Sequence, residues 1–206
     1  FILLKEAAEY IAASDLNTFL QNSFYRKLGA VTTTFNPLNK FDKSRIAPTE
    51  KDDFIRKQLL QGYVHDEGAA FMGGIGGNAG LFSNANDLAK LYQMWLNMGE
   101  YGGERYLSKE TCRLFTTAKS ATSRRGFGFD KPDMNNERLN PCSPHTPASV
   151  YGHTGFTGTC FWLDPDNNLI YIFLSNRVYD SRTHKNLMTL NIRSRIQEEI
   201  YKAIGK

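Results

Sequence analysis

One stretch of the sequence decides the fold: Tyr151-Gly152-His153-Thr154-Gly155-Phe156-Thr157-Gly158-Thr159. Two apolar segments follow it, residues 160–163 and 169–174, and the turn-forming residues 164–168 lie between them. This arrangement predicts a β-hairpin with a loop of about 3–5 residues. The polar run is therefore expected to lie on a strand that enters an antiparallel sheet.

The same stretch carries three glycines, Gly152, Gly155 and Gly158, at every third position. Glycine weakens a strand unless another backbone or a ligand must come close to it. Close approach is therefore the expected reason for these glycines. His153 and Thr154 add a ring and a hydroxyl, and main-chain N–H groups add further donors, so the strand offers a substrate a hydrogen-bonding edge.

His153-Thr154-Gly155 resembles the third motif, Lys/His-Thr/Ser-Gly, of the penicillin-recognising serine hydrolases. That family comprises class C β-lactamases, D-alanyl-D-alanine peptidases and related esterases. Four further segments are similar to its β-lactamase-related branch in order and spacing, at residues 77–83, 87–89, 101–103 and 174–178. The resemblance thus runs nearly from end to end of the chain.

The resemblance implies an α+β fold class, a partial β-lactamase/transpeptidase-like fold. In it an antiparallel sheet is packed by a C-terminal helix and by a helical sub-domain. We expect one partial domain over residues 1–206, mainly helical with a long loop in residues 1–118, and with the sheet and the C-terminal helix in residues 119–206. A chain of 206 residues, 41% of them hydrophobic, can bury a sizeable core.

The resemblance also implies a site. The implied catalytic residues are His153, Thr154, Gly155 and Phe156, and the implied substrate-binding residues are Thr157 and Gly158. The backbone N–H of Phe156 is expected to be one of two oxyanion-hole donors. His153 replaces the lysine usual in the family. Recognition of an anionic substrate is expected to be weaker or pH-dependent, because histidine need not carry a charge at neutral pH.

Two motifs that the family needs for acylation are not found in this sequence. The family's nucleophile is the serine of Ser-x-x-Lys, activated by that lysine and by the tyrosine of a Tyr-x-Asn-like motif. No serine here has a lysine three residues on, and no tyrosine has an asparagine two residues on. The chain opens on Phe1-Ile2-Leu3-Leu4, a pattern typical of a helix interior, so we expect both motifs to lie upstream of residue 1.

Three functions remain open. The chain is the C-terminal part of a serine hydrolase acting on D-alanyl peptides, β-lactams or small esters, or it is a catalytically silent binding or accessory module of a larger cell-envelope enzyme. A structural or interaction domain unrelated to hydrolysis is the third. By resemblance we expect a bacterial, periplasmic or extracytoplasmic protein, a small-molecule or peptidoglycan-peptide substrate, and no cofactor.

Composition limits which other classes of partner are expected. The formal charge of +4 comes from 25 basic residues dispersed among 21 acidic ones, which gives little support to a nucleic-acid partner. No stretch approaches the ~20 apolar residues that span a bilayer. Cys112, Cys142 and Cys160 are too widely spaced for a CxxC metal site, and buried free thiols are expected. The run Val64-His65-Asp66-Glu67 is interpreted as a structural turn, not a metal site.

Apolar periodicity predicts five helices. They cover residues 2–11 and 15–27, a segment capped by Ser83, residues 108–118, and residues 185–203. The third is expected to bury Leu88, Leu91, Tyr92, Trp95 and Leu96. The last is expected to bury Ile192, Ile196, Ile200 and Ile204, and to leave Arg193, Arg195, Glu198, Glu199 and Lys202 solvated. The run from residue 29 to about 70 is predicted to be irregular.

Four strands are predicted, at residues 126–130, 150–155, 159–164 and 169–175. The last is continuously apolar, which is typical of a central strand that is covered on both faces. In the family the sheet also uses strands from upstream. We therefore expect an exposed sheet edge through which the chain self-associates or which leaves it marginally stable.

Overall fold

The structure, a computed structural model, describes residues 1–118 and 120–206. Helices and small antiparallel sheets follow one another along the chain, which confirms the predicted α+β class. Within the described ranges, no helix is long and apolar enough to cross a membrane. The chain forms two compact units: unit 1 from residues 1–91 and 176–184, and unit 2 from residues 92–175 and 185–206.

The assignment of residues 1–206 to one partial domain stays a prediction. The expected boundary between its helical part and its sheet part falls at residues 118 and 119. Lys119 lies outside the described residues. Each unit is accordingly described by itself.

Unit 1 begins with two helices, α1 over Ile2–Ala12 and α2 over Leu16–Leu20. Asp15 caps α2, because its carboxylate accepts a hydrogen bond from Thr18 N at 2.9 Å. Gly29 ends the helical segment with a φ of 68°, the left-handed conformation typical of a glycine just beyond a helix.

A π-helical turn over Gln21–Tyr25 continues α2. The extra residue in this turn rotates the side chains that follow it. The helical period predicts one buried face made of Leu16, Phe19, Leu20, Phe24 and Leu28. Tyr25 and Leu28 are buried, whereas Phe19 is exposed, so this prediction is wrong at Phe19.

A β-hairpin occupies part of the run that the sequence predicts to be irregular. Strand β1, Pro48–Asp52, pairs antiparallel with β2, Gln58–Gln61, and helix α3, Glu67–Phe71, follows. The prediction is wrong here because both strands are largely polar. They lack the alternation of apolar and polar residues by which a half-buried strand is recognised.

Buried charged groups hold this hairpin together. Arg56, in the hairpin turn, donates to Glu50 at 2.8 Å and to Asp52 at 2.6 Å. Both carboxylates are almost completely buried. Arg56 also donates to the main-chain carbonyls of Val64 and His65. One guanidinium thus compensates two carboxylates that could not otherwise stay ionised inside the unit.

The Asp52 carboxylate also organises the hairpin turn. It accepts hydrogen bonds from the backbone N–H groups of Phe54, Ile55 and Arg56. Burial opposes ionisation of this carboxyl, but the hydrogen bonds from the Arg56 side chain and from the three N–H groups outweigh burial and lower the pKa of Asp52. The turn therefore forms around a charged aspartate.

Residues 176–184 are anchored to the same hairpin. Asn176 donates to the Thr49 carbonyl at 2.9 Å, and Arg182 donates to Glu50 at 2.9 Å. This segment follows the last strand of unit 2 in the sequence but belongs to unit 1. A second arginine thereby joins the buried carboxylate cluster.

Helix α4, Ala85–Leu96, links the two units in sequence. Asn84 caps it, because its side-chain oxygen accepts from Asp87 N at 2.9 Å. The predicted cap, Ser83, is one residue too early. Its hydroxyl instead lies 2.7 Å from the Thr33 hydroxyl.

Unit 2 continues with a short hairpin and a helix. Strands β3, Glu100–Tyr101, and β4, Glu104–Arg105, pair antiparallel, and α5 covers Lys109–Thr116. Ser108 caps α5 as predicted, since its hydroxyl accepts from Thr111 N at 3.0 Å.

Aromatic rings form part of the core of unit 2. Tyr92 stacks on Phe161 with ring centroids 4.1 Å apart, and Trp95 packs edge-on against Phe129 at 4.9 Å. These ring contacts show that the aromatic residues of α4 pack within unit 2. The five residues predicted to be buried are all half-buried, however, and the fully buried residues of α4 are Asp87 and Met94.

The sheet of unit 2 has three strands in the order β5-β6-β7, all antiparallel. β5 covers Tyr151–Thr154, β6 covers Cys160–Asp164 and β7 covers Leu169–Phe173, each within its predicted range. The central strand is β6. The prediction that the last strand is central is therefore wrong.

The strand predicted at residues 126–130 does not form. Gly126 N donates to Phe129 O within a turn, and only Asp130 reaches the sheet, through an isolated bridge to Gly152. A φ of 88° at Gly128 interrupts the extended backbone that the alternating pattern predicts. The sequence signal was four residues long, too short to exclude a turn.

The C-terminal helix is interrupted. Helix α6 covers Asn186–Thr189 and α7 covers Ile192–Ala203. Asn191 lies between them with a left-handed φ of 49°. The predicted single helix over residues 185–203 is therefore wrong at this point, although both pieces lie within its range.

The buried face of α7 is held by polar side chains. Gln197 accepts from Ser143 N at 3.0 Å, and the Tyr201 hydroxyl donates to Asp164 at 2.7 Å. Among the isoleucines of the predicted ridge, Ile200 packs against the core, and Ile196 and Ile204 are exposed. The prediction that a ridge of isoleucines forms the buried face of this helix is therefore wrong.

The outer edge of β7 has no strand partner in the described part of the chain. Gly152 exchanges hydrogen bonds with Asp130 on the side away from β6, so the alternation of an antiparallel ladder directs the peptide groups of Trp162 toward β7. By the same alternation, the N–H and C=O groups of Ile170 and Ile172 point outward.

We predict that replacing Arg56 with methionine costs about 3–5 kcal/mol of unfolding free energy, since it leaves the buried Asp52 carboxylate without its cation and leaves Glu50 with Arg182 alone. The matched control is Arg105→Met, because Arg105 pairs with Glu100 at 2.7 Å on an exposed surface. That change should cost about 1 kcal/mol or less. Denaturant titration compares the two variants, and equal losses would contradict a special role for the buried pair.

We further propose that two copies of the chain pair along the β7 edge, where an antiparallel register centred on Tyr171 lets Ile170 and Ile172 exchange main-chain hydrogen bonds. Sedimentation velocity should show concentration-dependent association. Ile172→Lys should weaken it, and Ala118→Lys, which adds the same charge at an exposed position, should not. A stable monomer at all concentrations would disprove the pairing.

Candidate functional site

The predicted site residues lie on β5 and on the turn that joins it to β6. Gly155 N donates to Thr159 O at 2.7 Å, and Gly158 N donates to Gly155 O at 3.1 Å, so the turn closes on its own main chain. Gly158 has a φ of 114°, which favours glycine strongly. Residues 153–158 are therefore brought together by one hairpin.

Close approach explains two of the three glycines, with a different neighbour in each case. A Cβ at Gly152 would overlap the main-chain oxygen of Phe161 on the paired strand. A Cβ at Gly155 would overlap the hydroxyl of Thr159 across the turn. The close neighbour of Gly152 is thus fixed backbone, whereas that of Gly155 is a side chain that can move.

The alternation of the β5–β6 ladder decides which peptide groups face outward. His153 and Gly155 direct their main-chain groups toward β6, as the bond from Gly155 N to Thr159 O shows. Thr154 consequently directs its N–H and C=O away from β6. Asp130 occupies this outer edge at Gly152 but does not extend to Thr154.

The His153 ring contacts that outer edge. Its Nδ1 lies 2.7 Å from Thr154 O. A carbonyl oxygen only accepts, so Nδ1 must donate, and Nε2 is the ring nitrogen left for another partner. When the ring is neutral Nε2 accepts a hydrogen bond, and when the ring is protonated Nε2 donates one.

Phe156 and Thr157 lie in the turn itself. The Phe156 ring is 65% exposed, whereas Thr157 is half-buried. Gly158 is buried, and its carbonyl accepts from the Ser175 hydroxyl at 3.0 Å. The exposed part of the site is therefore the tip of the turn next to Thr154.

One residue that holds the site was missed in the sequence. Arg193 was predicted to be solvated, but its Nη1 lies 3.3 Å from Gly155 O and 3.0 Å from Thr159 O. That prediction is wrong because Arg193 lies one helical turn before the buried residue Gln197, on the same side of α7. Helical periodicity assigns a face but not a contact with a distant turn.

The buried groups behind the site are not activated nucleophiles. Burial raises the pKa of the Cys160 thiol to about 11 and also raises the pKa of the Cys142 thiol. Burial likewise raises the pKa of Tyr151, whose hydroxyl donates to Trp95 O at 3.2 Å. The three cysteines are free and buried, as predicted.

No cluster of metal-binding side chains occurs among residues 1–118 and 120–206. The run at residues 64–67 serves the start of α3. Asp66 caps that helix by accepting from Ala69 N at 2.7 Å, and Glu67 pairs with Arg182 at 3.0 Å. These two carboxylates therefore have structural partners.

Comparison with known sequences agrees with the resemblance. A family model described as Beta-lactamase matches residues 1–191. A protein of Escherichia coli (strain K12) named "Putative D-alanyl-D-alanine carboxypeptidase" is 38% identical, over 86% of this chain and 43% of its own length. A protein of the same name from Salmonella gallinarum is 36% identical. The chain spans less than half the length of these relatives.

Solved structures support the fold alone, because their sequence identity is low. A β-lactamase from Mycobacterium bovis has a TM-score of 0.66 at 17% identity, over 98% of this chain and 61% of that one. A penicillin-binding protein homologue from Caulobacter crescentus has a TM-score of 0.56 at 18% identity, over 84% of this chain and 49% of that one. With the family model matching most of its residues, the chain belongs to the beta-lactamase family.

Proposed function

We propose that residues 1–206 form the C-terminal part of a serine hydrolase that acts by acyl transfer on D-alanyl peptides, β-lactams or small esters. Its nucleophile motif lies outside these residues, because no serine of the sequence has a lysine three residues on. The observation that carries the proposal is the outward-facing edge of β5 at Thr154, next to a turn closed by its own main chain.

An extended substrate can add to this edge as a further strand. In strand addition, main-chain hydrogen bonds supply affinity and the neighbouring side chains supply selectivity. Thr154 offers an outward N–H to a substrate carbonyl. Gly155 has no side chain, so it leaves room beside that contact.

We assign the N–H of Phe156 as one oxyanion-hole donor, the other being the amide of the nucleophile itself. The exposed position of the Phe156 ring supports this assignment, because the turn lies where a substrate can reach it. Thr157 and Gly158 complete the turn and line the substrate. An oxyanion donor lowers the barrier only for an attack that a nucleophile begins.

His153 occupies the position of the family's lysine. With Nδ1 donating to Thr154 O, its Nε2 is the atom directed to the substrate's carboxylate or to the leaving group. An imidazole need not carry the charge that a lysine carries. We therefore infer that His153 recognises an anionic substrate more weakly than a lysine would.

The setting follows from the same family. The relatives bear the name "Putative D-alanyl-D-alanine carboxypeptidase". This name supports a peptidoglycan peptide as the proposed substrate and an extracytoplasmic site in a bacterium as the proposed location. We propose one domain over residues 1–206, a reaction without a cofactor, and no nucleic-acid partner, since the basic residues are dispersed.

The alternative is a non-catalytic binding or accessory module of a larger cell-envelope enzyme. The absence of Ser-x-x-Lys and Tyr-x-Asn motifs from the sequence favours it. Burial raises the pKa values of Cys142, Cys160 and Tyr151, so these groups do not replace the missing nucleophile. Both functions use the β5 edge. They differ in whether a covalent adduct forms in the longer protein.

We predict that residues 1–206 alone form no covalent adduct with a fluorescent penicillin, because no serine of the sequence has a lysine three residues on to act as its base. A longer protein that contains these residues together with upstream Ser-x-x-Lys and Tyr-x-Asn motifs should be labelled. Gel fluorescence and intact mass measure both, and the serine-to-alanine variant of the upstream motif is the control.

A stoichiometric adduct mapped to a serine within residues 1–206 would contradict the proposed division of the site. If the longer protein binds the penicillin reversibly and never covalently, the result contradicts the hydrolase and supports the non-catalytic binding module. The first result tests where the nucleophile lies, and the second tests whether the longer protein has one.

We also predict that Gly155→Ala lowers acylation by the longer protein about tenfold or more, since the added methyl group displaces a substrate that must lie along the strand. The same methyl group overlaps the Thr159 hydroxyl, which lowers stability as well. The double variant Gly155→Ala/Thr159→Ala separates the two effects. It should melt like Thr159→Ala alone while acylation stays low. Recovery of acylation together with stability would show that the glycine serves packing only.

A further inference from the structure

Arg193 connects the first turn of α7 to the turn that carries the candidate site. Its Nη1 donates to Gly155 O at 3.3 Å and to Thr159 O at 3.0 Å. Its own carbonyl accepts from the Tyr171 hydroxyl at 3.0 Å. The backbone of Arg193 is thus fixed to β7, and its side chain is fixed to the turn between β5 and β6.

The contact with Gly155 O bears on the neighbouring amide. The carbonyl of Gly155 and the N–H of Phe156 belong to the same peptide group. That group is planar and trans, so its N–H points in the direction opposite to its C=O. Holding Gly155 O against the guanidinium therefore fixes the direction of the Phe156 N–H.

The same contact strengthens the donor. A cation beside a carbonyl oxygen polarises the peptide group and makes its N–H a better hydrogen-bond donor. Arg193 makes no ion pair with a carboxylate in the described part of the chain. Its charge is therefore not neutralised by an acidic neighbour and acts on the two carbonyls.

The two carbonyls also need this cation. Gly155 O already accepts from Gly158 N, and Thr159 O already accepts from Gly155 N. Both oxygens converge on one nitrogen of Arg193, so their negative ends face each other across the turn. A charged donor between them offsets that repulsion, and a neutral side chain that lacks donors cannot.

We propose that Arg193 is a positioning residue, which aims and polarises the Phe156 N–H through the shared peptide group. The proposal rests on the proposed function, in which that N–H stabilises the oxyanion. Arg193 does not touch the substrate. Its effect should therefore fall on the acylation step and not on the initial binding of substrate.

The first test measures the peptide group directly, in residues 1–206, by amide NMR. Arg193→Met should move the Phe156 amide proton upfield, while the Thr154 amide stays in place. The matched control is Arg195→Met on the same helix, where the side chain is exposed. That variant should move neither amide. An unchanged Phe156 amide in Arg193→Met would overturn the proposal.

The second test measures acylation of the longer protein by a fluorescent penicillin. Arg193→Met should lower the acylation rate about tenfold with little change in the initial dissociation constant, because one donor is weakened and not removed. Arg193→Lys keeps the charge and should recover part of the rate. A loss confined to the dissociation constant would overturn the positioning role.

The two tests also separate this inference from the function on which it rests. If the longer protein with Arg193 intact forms no adduct, the proposed function fails, and the amide measurement still decides whether Arg193 controls the peptide group. If Arg193→Met does not fold, the lysine variant decides instead. Full activity with an altered Phe156 amide would overturn the catalytic part of the inference.

Discussion

The antiparallel ladder between β5 and β6 is the constraint on which the candidate site depends. Its alternation turns His153 and Gly155 inward to the sheet and Thr154 outward. A slip of one residue would reverse every one of these directions. The bridge from Gly152 to Asp130 and the closed turn after Gly155 keep the register from slipping. The chemistry available at the edge is therefore a consequence of hydrogen-bond pairing more than of side-chain identity.

A different interaction holds unit 1 together. Its hairpin is organised by Glu50 and Asp52, which share Arg56 inside the unit. Burial lowers the pKa of the adjacent His65, whose Nε2 lies 3.4 Å from Glu50. Each charge here depends on its neighbours to remain buried. Such clusters add little net stability compared with apolar packing, but they admit very few alternative pairings. Together with Arg182, the cluster thus specifies how residues 176–184 are attached to unit 1.

The sequence was sufficient where burial follows apolar periodicity. Strands β6 and β7 and helix α5 were predicted within a few residues, because apolar residues mark each of them. The β1–β2 hairpin was missed because β1 buries the carboxylates of Glu50 and Asp52, and no hydrophobic pattern marks that strand. Arg193 was missed for a related reason, since a long polar side chain can turn from solvent to a distant carbonyl. The motif at β5 was found because its residue types are unusual for packing.

The glycines of that motif show why a pattern alone does not assign a function. Gly152 is required by the backbone of β6, and Gly158 by a left-handed turn. Gly155 faces only the hydroxyl of Thr159, which a small movement could relieve. Of the three, it is the position where packing explains the glycine least. It also shares its peptide group with the Phe156 N–H. The peptide unit of Gly155 and Phe156 is therefore the part of the motif that packing explains least, and it is held on one side by Arg193 and on the other by the strand that precedes it.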